Sequence, residues 1–266
     1  MASNKYICKV CGYIHTGDSA PEQCPVCKVP ASEFEKQKPK GFFSDKNSNV
    51  YIVSYATVMV VLVAAVLAFL ALSLQPLQQA NILNEKRSAI LTALGAADQN
   101  YDEYITAFVV DSKGKQIKGQ DPIALLSDLN GAFAAGTLPV FKAKDGKVVL
   151  PVTGTGLWGA IWGYVALESD MNTIAGIVID HAGETPGLGA EVATAKHQAM
   201  YVGKKLFEKG QFVSVALMKG GANPSSTHEV DAITGGTKTS DGVTMMLKES
   251  LGSYVPLLKS SKSNKK

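Results

Sequence analysis

From Lys28 to the C-terminus this 266-residue chain has no cysteine; all four lie at positions 8, 11, 24 and 27. A disulfide-stapled secreted domain spreads its cysteines, so the large C-terminal part is not built that way. A basic stripe is also missing. The formal net charge is only +3, with lysines scattered or terminal, and none interleaves with aromatics as on a nucleic-acid surface. No charged residue at all occurs between positions 51 and 74. Nor is there an evident set of general acid, base and nucleophile.

What is present begins with YICKVCGYIHTGDSAPEQCPVCKVPASEF at residues 6–34. Cys8 and Cys11 form one C-x-x-C; Cys24 and Cys27 form a second. Two such turns present four thiolates to one centre, a tetrahedral site for zinc or iron. A module this short has too little core to fold without a metal. The CGY and CPVC details, with Tyr6, Tyr13 and Phe34, resemble the short rubredoxin-like module of rubrerythrins. That resemblance implies one iron and one-electron chemistry at residues 1–36; a zinc ribbon that only folds or docks is the alternative.

Residues 37–49 are polar and lysine-rich and read as a linker. The uncharged run that follows, YIVSYATVMVVLVAAVLAFLALSL, exceeds the roughly 20 residues that cross a hydrocarbon core of about 30 Å. Residues 50–74 are therefore expected to form a single transmembrane helix, with Tyr51 and Tyr55 at an interface. Lys36, Lys38, Lys40 and Lys46 precede the span, whereas Lys86 and Arg87 stand well beyond it. The richer side stays cytoplasmic, placing the metal module inside, in a reducing compartment, and the large domain outside.

The stretch around which the rest is organised is DAITGGTKTS, residues 231–240. Thr234, Thr237, Thr239 and Ser240 surround Gly235 and Gly236, and an amphipathic run (Val243, Met246, Leu247, Leu251) follows. Glycines admit close backbone approach, and a helix N-terminus just downstream suits a phosphate. On local sequence alone an ordinary Thr/Gly-rich capping loop competes with this reading.

The decapeptide resembles the Asp-x-x-(Ser/Thr)-Gly-Ala-Thr signature of the FMN-binding domain in the C subunit of the sodium-translocating NADH:quinone oxidoreductase. GLWGAIWGYVAL from Gly156 and HAGETPGLGAEV from His181 resemble that protein too, and the likeness covers roughly residues 50–256. It implies FMN joined as a phosphoester to Thr237 by a separate flavin transferase that recognises Asp231. It also implies Trp158 and Leu188 against the flavin ring, with Glu184, Thr185, Gly187 and Gly189 in the adjoining loop and Thr234, Gly235, Gly236 and Thr239 near the attachment point. The family's alanine is Gly236 here. Implied partners are the complex's other membrane subunits, in a bacterial inner membrane with the FMN domain periplasmic. Alternatives are the G subunit of an Rnf-type complex, a stand-alone membrane flavoprotein, or a membrane-anchored zinc-ribbon interaction protein without flavin.

Residues 75–258 are expected to be an α+β FMN-binding domain, an antiparallel sheet beside segregated helices, followed by a basic tail at 259–266. A helix continues over 76–97, and strands are predicted at 104–111, 140–143, 148–152, 158–167, 173–180 and 212–218. Asp145-Gly146 marks a hairpin. Helices are predicted at 121–134 and 195–207, the latter with Met200, Val202 and Leu206 inward. TGTG at 153–156 is either a second phosphate-side loop or a turn. His181 and His197 read as structural or surface residues, and His228 as a weaker candidate for the flavin surroundings.

Overall fold

The computed structural model describes residues 4–38, 46 and 48–263. Most of the linker (39–45 and 47) and the last three residues of the tail lie outside the described residues. The chain divides into two units, Met1–Gln75 and Pro76–Lys266.

In the first unit β1 (Lys5–Cys8) pairs antiparallel with β2 (Ile14–Thr16) on one side and β3 (Phe34–Lys36) on the other. Within residues 4–38 only Cys8 and Cys24 are buried. The unit also holds the start of α1 (Asn49–Ala93), a 45-residue helix. Among the described residues this is the one helix long and apolar enough to cross a membrane. Its side chains between positions 51 and 74 are nearly all exposed, as an uncharged run can be only where the surroundings are apolar.

The second unit takes over α1 from Pro76. After α2 (Tyr101–Tyr104) come β4 (Ile105–Val110), β5 (Gln116–Ile117), α3 (Pro122–Leu125), α4 (Leu129–Ala134), β6 (Leu138–Ala143), β7 (Val148–Thr155), β8 (Ala160–Leu167) and β9 (Ile174–His181). These six strands form one antiparallel sheet in the order β5-β4-β6-β7-β8-β9. Then follow α5 (Ala195–Ala199), the hairpin β10 (Phe207–Glu208) and β11 (Gln211–Phe212), the parallel pair β12 (Ala216–Met218) and β13 (Glu229–Asp231), α6 (Thr237–Ser253) and α7 (Val255–Ser263).

Alternation along the strands sends side chains to two cores. Leu150, Val152, Ile161, Val165 and Leu167 face Val243, Met246, Leu247 and Leu251 of α6. Val149, Phe141, Tyr164 and Ala166 face Ile90, Leu91 and Ala93 of α1. The sheet is thus covered on both faces. Gly242 lets α6 lie flat on β7: a Cβ there would collide with the Thr155 carbonyl oxygen.

Several sequence expectations give way. Residues 121–134 form two helices, because Asp128 turns its carboxylate onto the Gly131 amide and caps α4 separately. α5 stops at Ala199 instead of reaching 207, and Val202 is 56% exposed rather than inward. The strand expected over 212–218 breaks at Ser214, which adopts a left-handed φ of +65°. Residues 153–155 of TGTG are the end of β7, paired with β8, not a phosphate loop. Residues 259–263 continue α7 rather than forming a tail.

Candidate functional site

α6 begins at Thr237, inside the decapeptide rather than downstream of it. Its N-cap is Gly236, and no side chain caps it. α2, α3, α4 and α5 are all capped, by Asn100, Asp121, Asp128 and Thr194. The first-turn amides of α6 are therefore left to an outside acceptor, and the positive end of the helix dipole favours an anion there.

The four hydroxyls divide. Thr239 and Ser240 are buried and engaged: Thr239 Oγ1 donates to Glu184 Oε2 at 2.6 Å, and Ser240 Oγ accepts from the Ile233 amide at 3.0 Å. Thr234 and Thr237 are exposed. Thr237 thus presents its hydroxyl at the uncapped helix start.

Beside it opens a cavity of about 310 Å³, lined from three segments. Leu157 and Trp158 come from the turn before β8. Glu184, Thr185, Leu188 and Gly189 come from the loop after β9. Gly235, Gly236, Thr237, Lys238 and Thr239 come from the start of α6. Trp158 and Leu188 stay 69% and 42% exposed, a pair of apolar side chains beside a polar floor. Such a site can take a flat apolar ring at one end and a phosphate at the other.

Glu184 forms that floor. It is 4% exposed, and its carboxylate also accepts from the Trp158 amide at 2.8 Å. Burial alone would push its carboxyl up, but the Thr239 hydroxyl and the Trp158 and Leu157 amides outweigh burial and hold it below the ordinary carboxylate value. Gly156 and Gly189 are required around it, because a Cβ at either would run into a carboxylate oxygen. His181 serves this loop: its Nδ1 accepts from the Glu184 amide at 3.2 Å.

The cavity gathers nine of the residues singled out from sequence and leaves four aside. Asp231 lies on β13, where its carboxylate accepts from the Ala222 amide at 2.7 Å. Thr234 and Gly187 do not line the cavity, and neither does His228, whose Nδ1 meets the Lys205 carbonyl at 2.6 Å. Sequence reasoning missed Leu157 and Lys238, each next to a predicted residue. Gly236 has a local reason: a Cβ there would lie 2.9 Å from Cγ2 of the buried Ile233.

The four cysteines converge. Their sulfurs all lie within 4.8 Å of one another, with Cys8–Cys27 at 3.6 Å and Cys11–Cys24 at 3.5 Å. Bonds of about 2.3 Å in a tetrahedron place sulfurs about 3.8 Å apart, so the set fits a single metal. The two knuckles match: the Gly12 amide donates to the Cys8 carbonyl, and the Lys28 amide to the Cys24 carbonyl, both at 2.9 Å. Burial pushes the Cys24 thiol up, but the amides of Cys27 and Val26 and the neighbouring Cys11 and Cys27 sulfurs overcome it and hold it at about 6, while burial and the neighbouring thiols push Cys27 up to about 12, so the four sulfurs titrate as one set.

The family model for an FMN-binding domain matches residues 156–252, which contain every segment lining the cavity. That for the rubredoxin-like domain of rubrerythrin matches residues 6–35. Fold and site thus define an FMN-binding α+β domain carried on one apolar helix, with a rubredoxin-like module before it. Among curated relatives, the C subunit of the Na(+)-translocating NADH-quinone reductase of Pseudomonas aeruginosa is 33% identical, over 79% of this chain and 94% of its own. Its counterpart from Neisseria meningitidis serogroup A is 33% identical over 84% and 98%. The crystal structure of the C subunit from Parabacteroides distasonis superposes with a TM-score of 0.64 at 40% identity, covering 70% of this chain and 96% of that one. Shewanella oneidensis NqrC gives 0.60 at 28%, covering 69% and 99%. The chain belongs to the C-subunit family of the Na(+)-translocating NADH-quinone reductase.

Proposed function

We propose that this chain carries electrons within that reductase through a covalently held FMN, with its phosphate esterified to Thr237, and an iron bound by Cys8, Cys11, Cys24 and Cys27. The observation that carries the reading is the exposed Thr237 hydroxyl at the first residue of a helix whose start no side chain caps, beside the cavity. A phosphate joined there would have the uncapped amides of the first turn of α6 to hold it. Trp158 and Leu188 offer apolar surface to the ring, and Thr185, Gly189, Gly235 and Gly236 bring backbone close. Asp231 and Thr234, outside the cavity, remain surface features that a flavin transferase can recognise during attachment.

When bound, FMN supplies one-electron chemistry, and the protein supplies position and electrostatics. A general acid or base is not needed for that role. Attachment removes loss by dissociation. The lysines before the apolar helix support a metal module on the cytoplasmic side of the inner membrane and an FMN domain on the periplasmic side. The module exchanges electrons at the cytoplasmic face, and other subunits of the complex carry them across.

The test is intact mass of the protein purified from cells that express the transferase. Wild type is expected to carry the added mass of one esterified FMN and to fluoresce on a denaturing gel. Thr237→Ala is expected to lose both. An unmodified wild-type chain, or a flavinylated Thr237→Ala, defeats the assignment. Elemental analysis of the same sample separates iron from zinc.

A further inference from the structure

We infer that the buried Glu184 carboxylate is an electrostatic brake on the flavin, a fixed negative charge that lowers the affinity of the site for an electron. The inference rests on the reading that FMN occupies the cavity by Thr237.

Three observations support it. The carboxylate lies in the cavity wall and is 4% exposed, so it is fixed at the site rather than free in solvent. It has no ion-pair partner among the described residues: its hydrogen bonds come from the neutral Thr239 hydroxyl and neutral backbone amides, and the charge interaction that helps hold it ionised comes from His181. A buried charge without an ion-pair partner is costly, and an apolar residue or an amide would spare that cost. It is also built in. The hydrogen bonds hold its ionised form, and Gly156 and Gly189 leave space for its oxygens where any Cβ would collide.

The surroundings make the charge count. An electron added to a ring beside Trp158 and Leu188 would put negative charge near another negative charge. The helix start pulls the other way, but its partial positive end is engaged by the phosphodiester, which carries one negative charge. Removing the Glu184 charge while keeping its shape therefore makes the site easier to reduce. A purely structural role, tying the 184–189 loop to α6, makes a different forecast: altered stability and an unaltered potential.

The experiment uses the full chain, flavinylated in cells and purified in detergent. Mass and in-gel fluorescence are read first on wild type; an unmodified wild type refutes the FMN reading itself, apart from this inference. Wild type and Glu184→Gln are then titrated spectroelectrochemically. Glutamine keeps an acceptor for the Trp158 amide and can donate to Thr239 Oγ1. The expected result is a rise of at least about tenfold in the equilibrium constant for one-electron reduction, which is about 59 mV. Thr239→Val leaves the charge and removes its hydroxyl partner; its potential is expected not to rise. An unshifted Glu184→Gln, or an equal rise in Thr239→Val, overturns the inference. Should Glu184→Gln not accumulate, infrared redox difference spectra of wild type with isotope-labelled glutamate decide. A carboxylate band that moves on reduction supports the inference, and a silent carboxylate region overturns it.

Discussion

His197 shows how one buried side chain sets a pH dependence. It is buried on α5 with Nε2 3.0 Å from the Tyr201 hydroxyl, their rings edge to face. Burial lowers its pKa from 6.5 to about 4, and the Asp231 carboxylate offsets only part of that. Between these values the unfolded chain binds the extra proton and the folded chain does not. Stability therefore rises with pH in this window, and on acidification it is lost progressively from about 6.5 down to about 4. The difference amounts to on the order of 2–3 kcal/mol. Glu184, whose folded pKa is depressed, adds a loss of the same sign but at lower pH, as its carboxylate is forced to take a proton below the unfolded value of 4.5. Urea unfolding at pH 5 and pH 7, followed by fluorescence of Trp158 and Trp162, is expected to show a lower midpoint at pH 5. His197→Gln is expected to shrink that gap, and a gap of wild-type size in the variant contradicts the account. The sequence showed His197 only as a lone histidine; its burial depends on where α5 docks, which no local pattern encodes.

At the scale of elements, α6 carries both the attachment point and the packing that holds it. Gly242 and Gly252 lie on the same helix, and alanine is favoured over glycine there by about 1 kcal/mol. Their surroundings differ. A Cβ at 252 would find only Phe212 Cε1 at 3.7 Å, ordinary contact, whereas one at 242 would strike the Thr155 carbonyl oxygen, which is backbone and cannot swing aside. Gly252→Ala is thus expected to be neutral or to stabilise by up to about 1 kcal/mol. Gly242→Ala is expected to destabilise by about 1–2 kcal/mol despite the same propensity gain, because α6 must lift from β7. Thermal melts of the two variants decide; equal effects would show that contact with β7 does not matter. The same elements show what was legible. The Asp145-Gly146 turn and the flanking alternation located β6 and β7, since a hairpin is written in adjacent residues. The start of α6 was placed too late, because Thr237, Lys238 and Thr239 carry no apolar period and their helicity rests on tertiary support. The end of α5 and the break at Ser214 were invisible for a like reason: their apolar residues read as periodic while the backbone turns away. For the cavity, the adjacency of three distant segments was carried by motif resemblance. Leu157 and Lys238 lie inside the resembling stretches but were not singled out, for neither is of a residue type that announces a site.

For the whole molecule, stability is unevenly distributed. Both hydrophobic cores are made by residues from Ile90 onward. Residues 4–38 bury only Cys8 and Cys24, two of the four metal ligands, and leave Val10, Ile14 and Val26 exposed. A three-stranded sheet of three- and four-residue strands with no apolar core has no source of stability of its own except the bonds to the metal. Stripping the metal should therefore unfold the module, while residues 76–263, which hold both cores, keep their structure. Limited trypsin digestion of the detergent-solubilised chain, with and without a strong chelator, reads this directly. With metal bound, Lys5, Lys9, Lys28 and Lys36 are expected to be cut slowly even though the chain is accessible there. After chelation they should be cut rapidly, leaving a fragment that begins beyond the module and keeps the same thermal midpoint, and Cys24→Ala should behave as the stripped protein does without chelator. Were the module to resist trypsin equally in both states, the four thiols would not be what holds it together, and its fold would have to come from contacts other than those to its metal.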